Sequence, residues 1–186
     1  MHLAPTPSAD FGFPIPTNCG VTVQDNTTES DWATFWSKRR LGNMLDRIGD
    51  NELKRIGREV QQRVVPRLLG ELDVKPWLLH GDLWSGNARY SRDRTSPIIF
   101  DPASYYGHSE ADLGIMPMFG GFSTAFFERY HELVPKSEPV DEYKQRLQLY
   151  EAYHHLNHAL MFGHSYKCGA MSLFTGLVRW ADEKGL

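Results

Sequence analysis

The sequence predicts an α+β domain, mostly helical, with a few short strands set into its middle. Three observations lead there. Apolar residues recur at three-to-four-residue steps before residue 70 and again after residue 109, the period of amphipathic helices. Between these regions lie two short apolar runs, Trp77-Leu78-Leu79, which stops at His80-Gly81-Asp82, and Pro97-Ile98-Ile99-Phe100, which ends in Asp101-Pro102, as short strands ending in polar loops do. And 186 residues are enough for one domain with a sizeable core but short for two.

Residues 1–30 carry Pro5, Pro7, Pro14 and Pro16 and the polar run Gln24 to Thr28, with little periodicity; they predict an extended N-terminal arm or linker ahead of a domain over 31–186. Thr28 with Asp31 three residues on suggests a capping-box start. Trp32, Phe35 and Trp36 then share a helical face destined for the core, renewed after Gly42 by Met44, Leu45 and Ile48. Gly49-Asp50-Asn51 breaks the pattern. Leu53, Ile56, Val60 and Val64 mark a second helix, and Pro66 opens a short third that Gly70 closes. The strand Trp77–Leu79 runs into His80-Gly81-Asp82. Asn87 to Tyr90, a polar turn over 91–96 and the strand from Pro97 form a β-hairpin-like region ending at Asp101-Pro102. Helices are expected at about 109–119, 123–132, 140–163 and 170–184, broken by Gly120-Gly121, Pro135, Pro139 and Gly169. In the longest, Tyr143, Leu147, Tyr150, His154 and Met161 recur at helical steps, and Phe119 to Phe127 should pack against the catalytic segment.

Composition excludes several classes. A net charge of -3 and a pI near 6.2 give no electrostatic reason to bind nucleic acid or an acidic membrane. No apolar stretch approaches the roughly 20 residues that span a bilayer, and the start, Met1-His2-Leu3-Ala4-Pro5, lacks the features of a signal peptide. Cys19 and Cys168 cannot build a disulfide framework and have no metal-ligand spacing, which predicts free thiols in a reducing, cytoplasmic compartment.

Phosphoryl transfer asks a protein for positioning and charge compensation. It needs a carboxylate beside the attacking hydroxyl and oxygen ligands for the magnesium ion that bridges nucleotide phosphates. Asp82, Asn87 and Asp101 supply that set. Asp82 follows a strand, Asn87 closes a glycine-bearing loop at the Asp-x-x-x-x-Asn spacing of the protein-kinase catalytic loop, and Asp101 ends the next strand. A hairpin would bring all three to one end of the sheet. Singly, each is an ordinary turn residue; it is their order along strand, loop and strand that points to chemistry.

His80-Gly81-Asp82-Leu83-Trp84-Ser85-Gly86-Asn87, followed by Pro97-Ile98-Ile99-Phe100-Asp101-Pro102-Ala103-Ser104-Tyr105-Tyr106-Gly107-His108-Ser109-Glu110, resembles the hallmark of the fructosamine (ketosamine-3-) kinase family, within the aminoglycoside-phosphotransferase and choline-kinase-like group. The similarity runs from about Phe11 onward, through Cys19-Gly20, Asp31-Trp32 and Leu156-Asn157-His158. It implies the C-terminal lobe of a protein-kinase-like fold. It also implies ATP as co-substrate and transfer to the sugar 3-hydroxyl of ribulosamine or fructosamine adducts, on a glycated protein or a small amine, leading to deglycation. By the same resemblance Asp82 is the catalytic base, Asn87 and Asp101 hold Mg2+, and His80 orients the loop. Asp112 hydrogen-bonds the loop backbone, Trp84 faces the sugar or packs in the loop, and His158 lines the sugar pocket or packs under it.

The Gly-rich loop, the Lys/Glu pair and the adenine hinge of such kinases have no counterpart in the sequence; Lys38 is the only lysine before residue 50. The expectation is therefore a catalytic lobe without its N-lobe, inactive alone, with uncovered apolar faces that favour a homodimer through the lobe face or the N-terminal arm. The alternatives are a non-catalytic fragment or pseudokinase that binds a glycated ligand or a partner, and a kinase of another small hydroxylated, aminoglycoside- or choline-like substrate. His154, His155, His158 and His164 raise a metal reading, but no Glu completes a His-Glu-x-x-His pattern.

Overall fold

The computed structural model describes the backbone of all 186 residues and every side chain except that of His164, so the His164 part of the histidine cluster lies outside the described residues. Residues 1–30 run largely extended over the rest of the chain. They form a two-stranded ladder, β1 (Asn18–Cys19) with β2 (Thr22–Val23), and bridge Phe11 to Glu29 and Gly12 to Tyr106. Phe11 and Cys19 are buried. The arm is pinned from below by Arg40, wholly buried, which donates to Asp25 O and Asn26 Oδ1 at 2.8 Å each and stacks over the Tyr105 ring.

The first helical rod begins as α1 (Trp32–Phe35), loosens into a π-helical stretch over Trp36–Gly42 and regains α geometry in α2 (Asn43–Arg47). Its N-cap is Asp31, whose carboxylate accepts from Thr34 N at 2.6 Å; the start expected at Thr28 is thus displaced by three residues, because Asp31 itself satisfies an orphan amide. Trp32, Phe35 and Trp36 lie in the core as expected. Asp50 caps α3 (Asn51–Glu59), which passes through a second π-helical segment into α4 (Val65–Leu69), with Pro66 in its first turn and Gly70 at its end. Leu53, Ile56, Val60 and Val64 line the buried side of that rod.

The strands pair differently from one simple hairpin. β3 (Trp77–Leu79) lies antiparallel to β6 (Tyr105–Gly107), and β4 (Ala88–Tyr90) to β5 (Pro97–Ile99), making separate ladders. β3 buries Leu79, and its partner Tyr105 stacks on Phe35, so that pair belongs to the core, whereas β4 and β5 stand out toward solvent. A 3₁₀ turn (Ser109–Leu113) then leads to α5 (Met116–Phe119) and α6 (Thr124–Leu133), the latter capped by Ser123.

The long helices α7 (Tyr143–Phe162) and α8 (His164–Lys184) pack along one another, and α8 also packs on α3. Their break is Gly163 at φ +81, a left-handed conformation that suits glycine. Gly169, expected to interrupt the helix, sits inside α8, where its missing Cβ leaves room for the His155 ring. α7 is buried over more than one face, Arg146, Leu149, Tyr153, Leu156 and Asn157 included. The single stripe expected from Tyr143 to Met161 therefore understates it, and Leu147 and Met161 are only partly buried. No helix among the described residues is long and apolar enough to cross a membrane.

Two polar networks tie α7 to the turn before α5. The Arg146 guanidinium, wholly buried, grips the Glu110 carboxylate (Nε to Oε2, 2.7 Å; Nη2 to Oε1, 3.1 Å) and donates further to Pro139 O and Ser137 O. His108, also wholly buried, bonds Tyr150 Oη at 2.8 Å and Ser137 Oγ at 2.9 Å. Burial above all, with Arg146 and His2 adding to it against the pull of Glu110, pushes the His108 pKa down to about 4. The unfolded chain, near 6.5 at this residue, takes up a proton that the folded one refuses. The His108 contribution to stability is therefore complete above pH 6.5 and is lost as pH falls toward 4, up to about 3 kcal/mol. Urea titrations across this window should show His108→Gln flattening the slope of stability against pH by close to one proton. An unchanged slope would mean that His108 is not the group responsible.

Candidate active site

The loop that follows β3 is fixed by its backbone. Asp112, buried in the 3₁₀ turn, accepts from His80 N at 2.7 Å and Gly81 N at 2.6 Å, while the His2 ring reaches its Oδ2 at 2.9 Å. Burial works to raise the Asp112 pKa, but the His2 ring and the two amides outweigh it and hold the carboxyl below its ordinary range. His80 O accepts from Ala103 N at 2.8 Å. Gly81 turns the chain here at φ +80, and a Cβ on it would stand 2.1 Å from Ala103 O, so only glycine fits. The His80 ring places Nε2 3.0 Å from Phe100 O, while Nδ1 accepts from Asp82 N at 3.3 Å. The proton therefore sits on Nε2, and both ring nitrogens are engaged in holding the loop.

Asp82 and Asn87 meet directly. Asn87 Nδ2 donates to Asp82 O at 3.0 Å and lies 3.3 Å from Asp82 Oδ2, which leaves Asn87 Oδ1 free of hydrogen bonds among the described residues. Between them Gly86 makes room for the Trp84 ring, which a Cβ there would meet at 2.0 Å. Asn87 O accepts from Phe100 N at 3.1 Å, and the β4–β5 register pairs Ala88 with Ile99, so Asp101 is the residue that follows the one bonded to Asn87. Asp101 is exposed and holds φ +54, an uncommon left-handed conformation that turns the chain sharply at the strand's end.

On the other side Asp82 forms the floor of a half-open cleft of about 520 Å³, walled by Trp84, Phe119, His158, Phe162 and Tyr166. The rings form one continuous wall. Trp84 to Phe119 is 5.0 Å between centroids, Phe119 to His158 5.3 Å and His158 to Tyr166 4.9 Å. His158 Nδ1 is anchored to His154 O at 2.8 Å. Burial raises the Asp82 pKa above the usual carboxylate range; the fields of His80 and His158 and hydrogen bonds from Cys19 and Asn87 pull it back only in part.

The loop thus brings His80, Asp82, Trp84 and Asn87 together with Asp112 behind, and His158 arrives from α7. Sequence reasoning assigned nothing to Cys19, His2 or Asn157. Cys19 and Asn157 line the cleft next to Asp82, and Asn157 Nδ2 donates to Cys19 O at 3.2 Å across 138 residues of chain. No local signal marked them; Cys19-Gly20 and Asn157-His158 stood out only as parts of a resemblance.

The chain as a whole resembles known proteins. The family model described as fructosamine kinase matches residues 1–179. The chain belongs to the fructosamine kinase family. A mouse ketosamine-3-kinase is 40% identical over 171 residues, covering 90% of this chain and 53% of that protein. A chloroplastic protein-ribulosamine 3-kinase from Arabidopsis thaliana is 41% identical over 183 residues, covering 96% and 54%. Among solved structures, a protein from Haemophilus somnus described as a fructosamine-3-kinase superposes with a TM-score of 0.81 at 28% identity, covering 95% of this chain and 59% of that one. One from Thermobifida fusca gives 0.82 at 26%, covering 92% and 59%. This fructosamine kinase family member spans about half the length of the curated relatives it matches.

Proposed function

We propose that this chain is the catalytic, C-terminal lobe of an ATP-dependent kinase that phosphorylates the 3-hydroxyl of ketosamines, ribulosamine or fructosamine adducts on amines, leading to deglycation. One observation carries the reading: the Asp82 carboxylate, held by Asn87, forms the floor of an aromatic cleft. The aromatic wall suits the C–H faces of a sugar, and a half-open cleft admits an adduct still joined to a protein.

In this reading Asp82 receives the proton of the attacking hydroxyl, and its raised pKa makes it a better acceptor than an ordinary carboxylate. His80 and Asp112 keep the loop backbone in register, and Trp84 and His158 hold the sugar against Asp82. The donors fit a hard divalent ion: Asn87 Oδ1 has no partner among the described residues, and Asp101, next in the chain after Phe100, whose amide bonds Asn87 O, offers an exposed carboxylate. Mg2+ held there supplies charge compensation for the phosphates of ATP.

The experiment is transfer from ATP to a ribulose- or fructose-lysine adduct, followed by phosphorus NMR, with this chain alone and with the amino-terminal half of a relative added separately. We expect Mg2+-dependent phosphorylation at O3 in at least the complemented sample, reduced roughly 100-fold by Asp101→Asn or Asn87→Ala and partly restored by raising Mg2+. No transfer in either setting would favour a non-catalytic lobe that only binds the glycated ligand. Transfer to an aminoglycoside or choline but not to the adducts would move the substrate class.

A further inference from the structure

Asp82 also belongs to a second group of donors, whose other two members the kinase reading does not use. Cys19 Sγ, an Asp82 carboxylate oxygen and a ring nitrogen of His154 all lie within 4.8 Å of one another. They come from the N-terminal arm, the catalytic loop and the middle of α7, so the cluster exists only in the folded chain. His154 is 4% exposed, and no hydrogen bond reaches either of its ring nitrogens among the described residues; its Nδ1 is a buried polar atom without a partner. Asn157 Oδ1, in the same wall, is buried and unpartnered as well. Buried polar atoms are ordinarily paired, so two orphans beside a buried thiol and a carboxylate point to a missing ligand. The cleft opens onto Cys19 and Asp82 and supplies an entry path.

We propose that Cys19, Asp82 and His154 form a binding site for a thiophilic divalent cation, Zn2+, distinct from the magnesium site at Asn87 and Asp101. Thiolate, imidazole and carboxylate are the preferred zinc donors, with water or a substrate hydroxyl as the fourth ligand. Tetrahedral zinc bonds place such atoms roughly 3.4–3.6 Å apart, so no pair in the cluster needs to close by more than about 1.4 Å to hold the ion. Binding displaces the Cys19 thiol proton to solvent, forms the Zn–S, Zn–N and Zn–O bonds and leaves no oxidation state changed. The ion holds the carboxylate that the kinase reading makes the base, so on that reading zinc switches transfer off by occupying Asp82, at the arm's junction with the loop.

The test uses the chain with exposed Cys168 changed to Ser, without nucleotide or sugar, so its outcome is separate from that of the kinase assay. Titration with Co2+ is expected to give, at one equivalent, the intense visible bands of a four-coordinate ion and a thiolate-to-cobalt charge-transfer band, both abolished by Zn2+. Cys19→Ser removes the charge-transfer band, and Cys19→Ser and His154→Gln each weaken Zn2+, measured against a chromophoric chelator, by about 100-fold or more. Asp101→Asn leaves both readouts unchanged. Circular dichroism identifies any variant that fails to fold, and the near-isosteric Cys19→Ser serves as the decisive one. Absence of the charge-transfer band in the parent chain overturns the proposal. So does a folded Cys19→Ser chain that binds Zn2+ as tightly, or zinc binding that is lost with Asp101→Asn.

Discussion

Asp82→Asn is expected to lower the rate of phosphoryl transfer by roughly 10³-fold while changing KM for the ketosamine little. The amide is nearly isosteric, so the cleft and its aromatic wall remain, and what disappears is the acceptor for the hydroxyl proton. General-base groups contribute about 10²- to 10⁴-fold, and Asp82 belongs in the upper part of that range because burial raises its basicity in the resting site. The split between the constants is informative. A loss confined to kcat is that of a group acting as the reaction proceeds, whereas a parallel loss in binding would make Asp82 a sugar-positioning residue. A fall of less than tenfold in kcat would remove Asp82 from the role of base.

The second large effect concerns the fold. Arg146→Met should destabilise the chain by about 3–5 kcal/mol, the loss typical when one partner of a buried pair is removed and the other charge is stranded. Glu110 would keep Ser137 N as a donor at 2.9 Å but lose both guanidinium contacts, and the carbonyls of Ser137 and Pro139 would lose a donor each. Against the 5–15 kcal/mol by which domains are ordinarily stable, that removes between about a fifth and the whole of the margin. Adding Glu110→Gln should recover part of the deficit, because a neutral amide tolerates the pocket better than an unpaired carboxylate. Chemical denaturation of wild type, both single variants and the double variant measures it; an Arg146→Met loss below 1 kcal/mol would show that the pair is not the tie it appears in the geometry.

Much of the candidate site was legible in the sequence because its parts are close in the chain. Asp82 and Asn87 lie five residues apart in one loop, and a ladder hydrogen bond ties Asn87 to Phe100, the residue before Asp101. The helical stripes at Trp32 to Trp36 and Leu53 to Val64 were equally readable, since each buries one face. What could not be read depends on long-range closure. Three-residue strands carry too little pattern to reveal that Trp77–Leu79 pairs with Tyr105–Gly107. α7 is buried on several faces, which blurs its periodicity, and Gly169 looked like a break because sequence alone does not show a histidine ring packed over it. Cys19, Asn157 and His154 meet only after the arm has crossed the lobe, so no spacing rule could relate them.

The left-handed backbone at Asp101 makes that position one where folding and chemistry prefer different residues. Aspartate tolerates φ +54 better than most residues, yet glycine adopts it without steric penalty, a difference of about 1 kcal/mol. Selection for thermal robustness alone would therefore drift toward glycine and silently delete the carboxylate proposed to hold Mg2+. Stabilising redesign of this chain should hold residue 101 fixed and draw its gains from elsewhere.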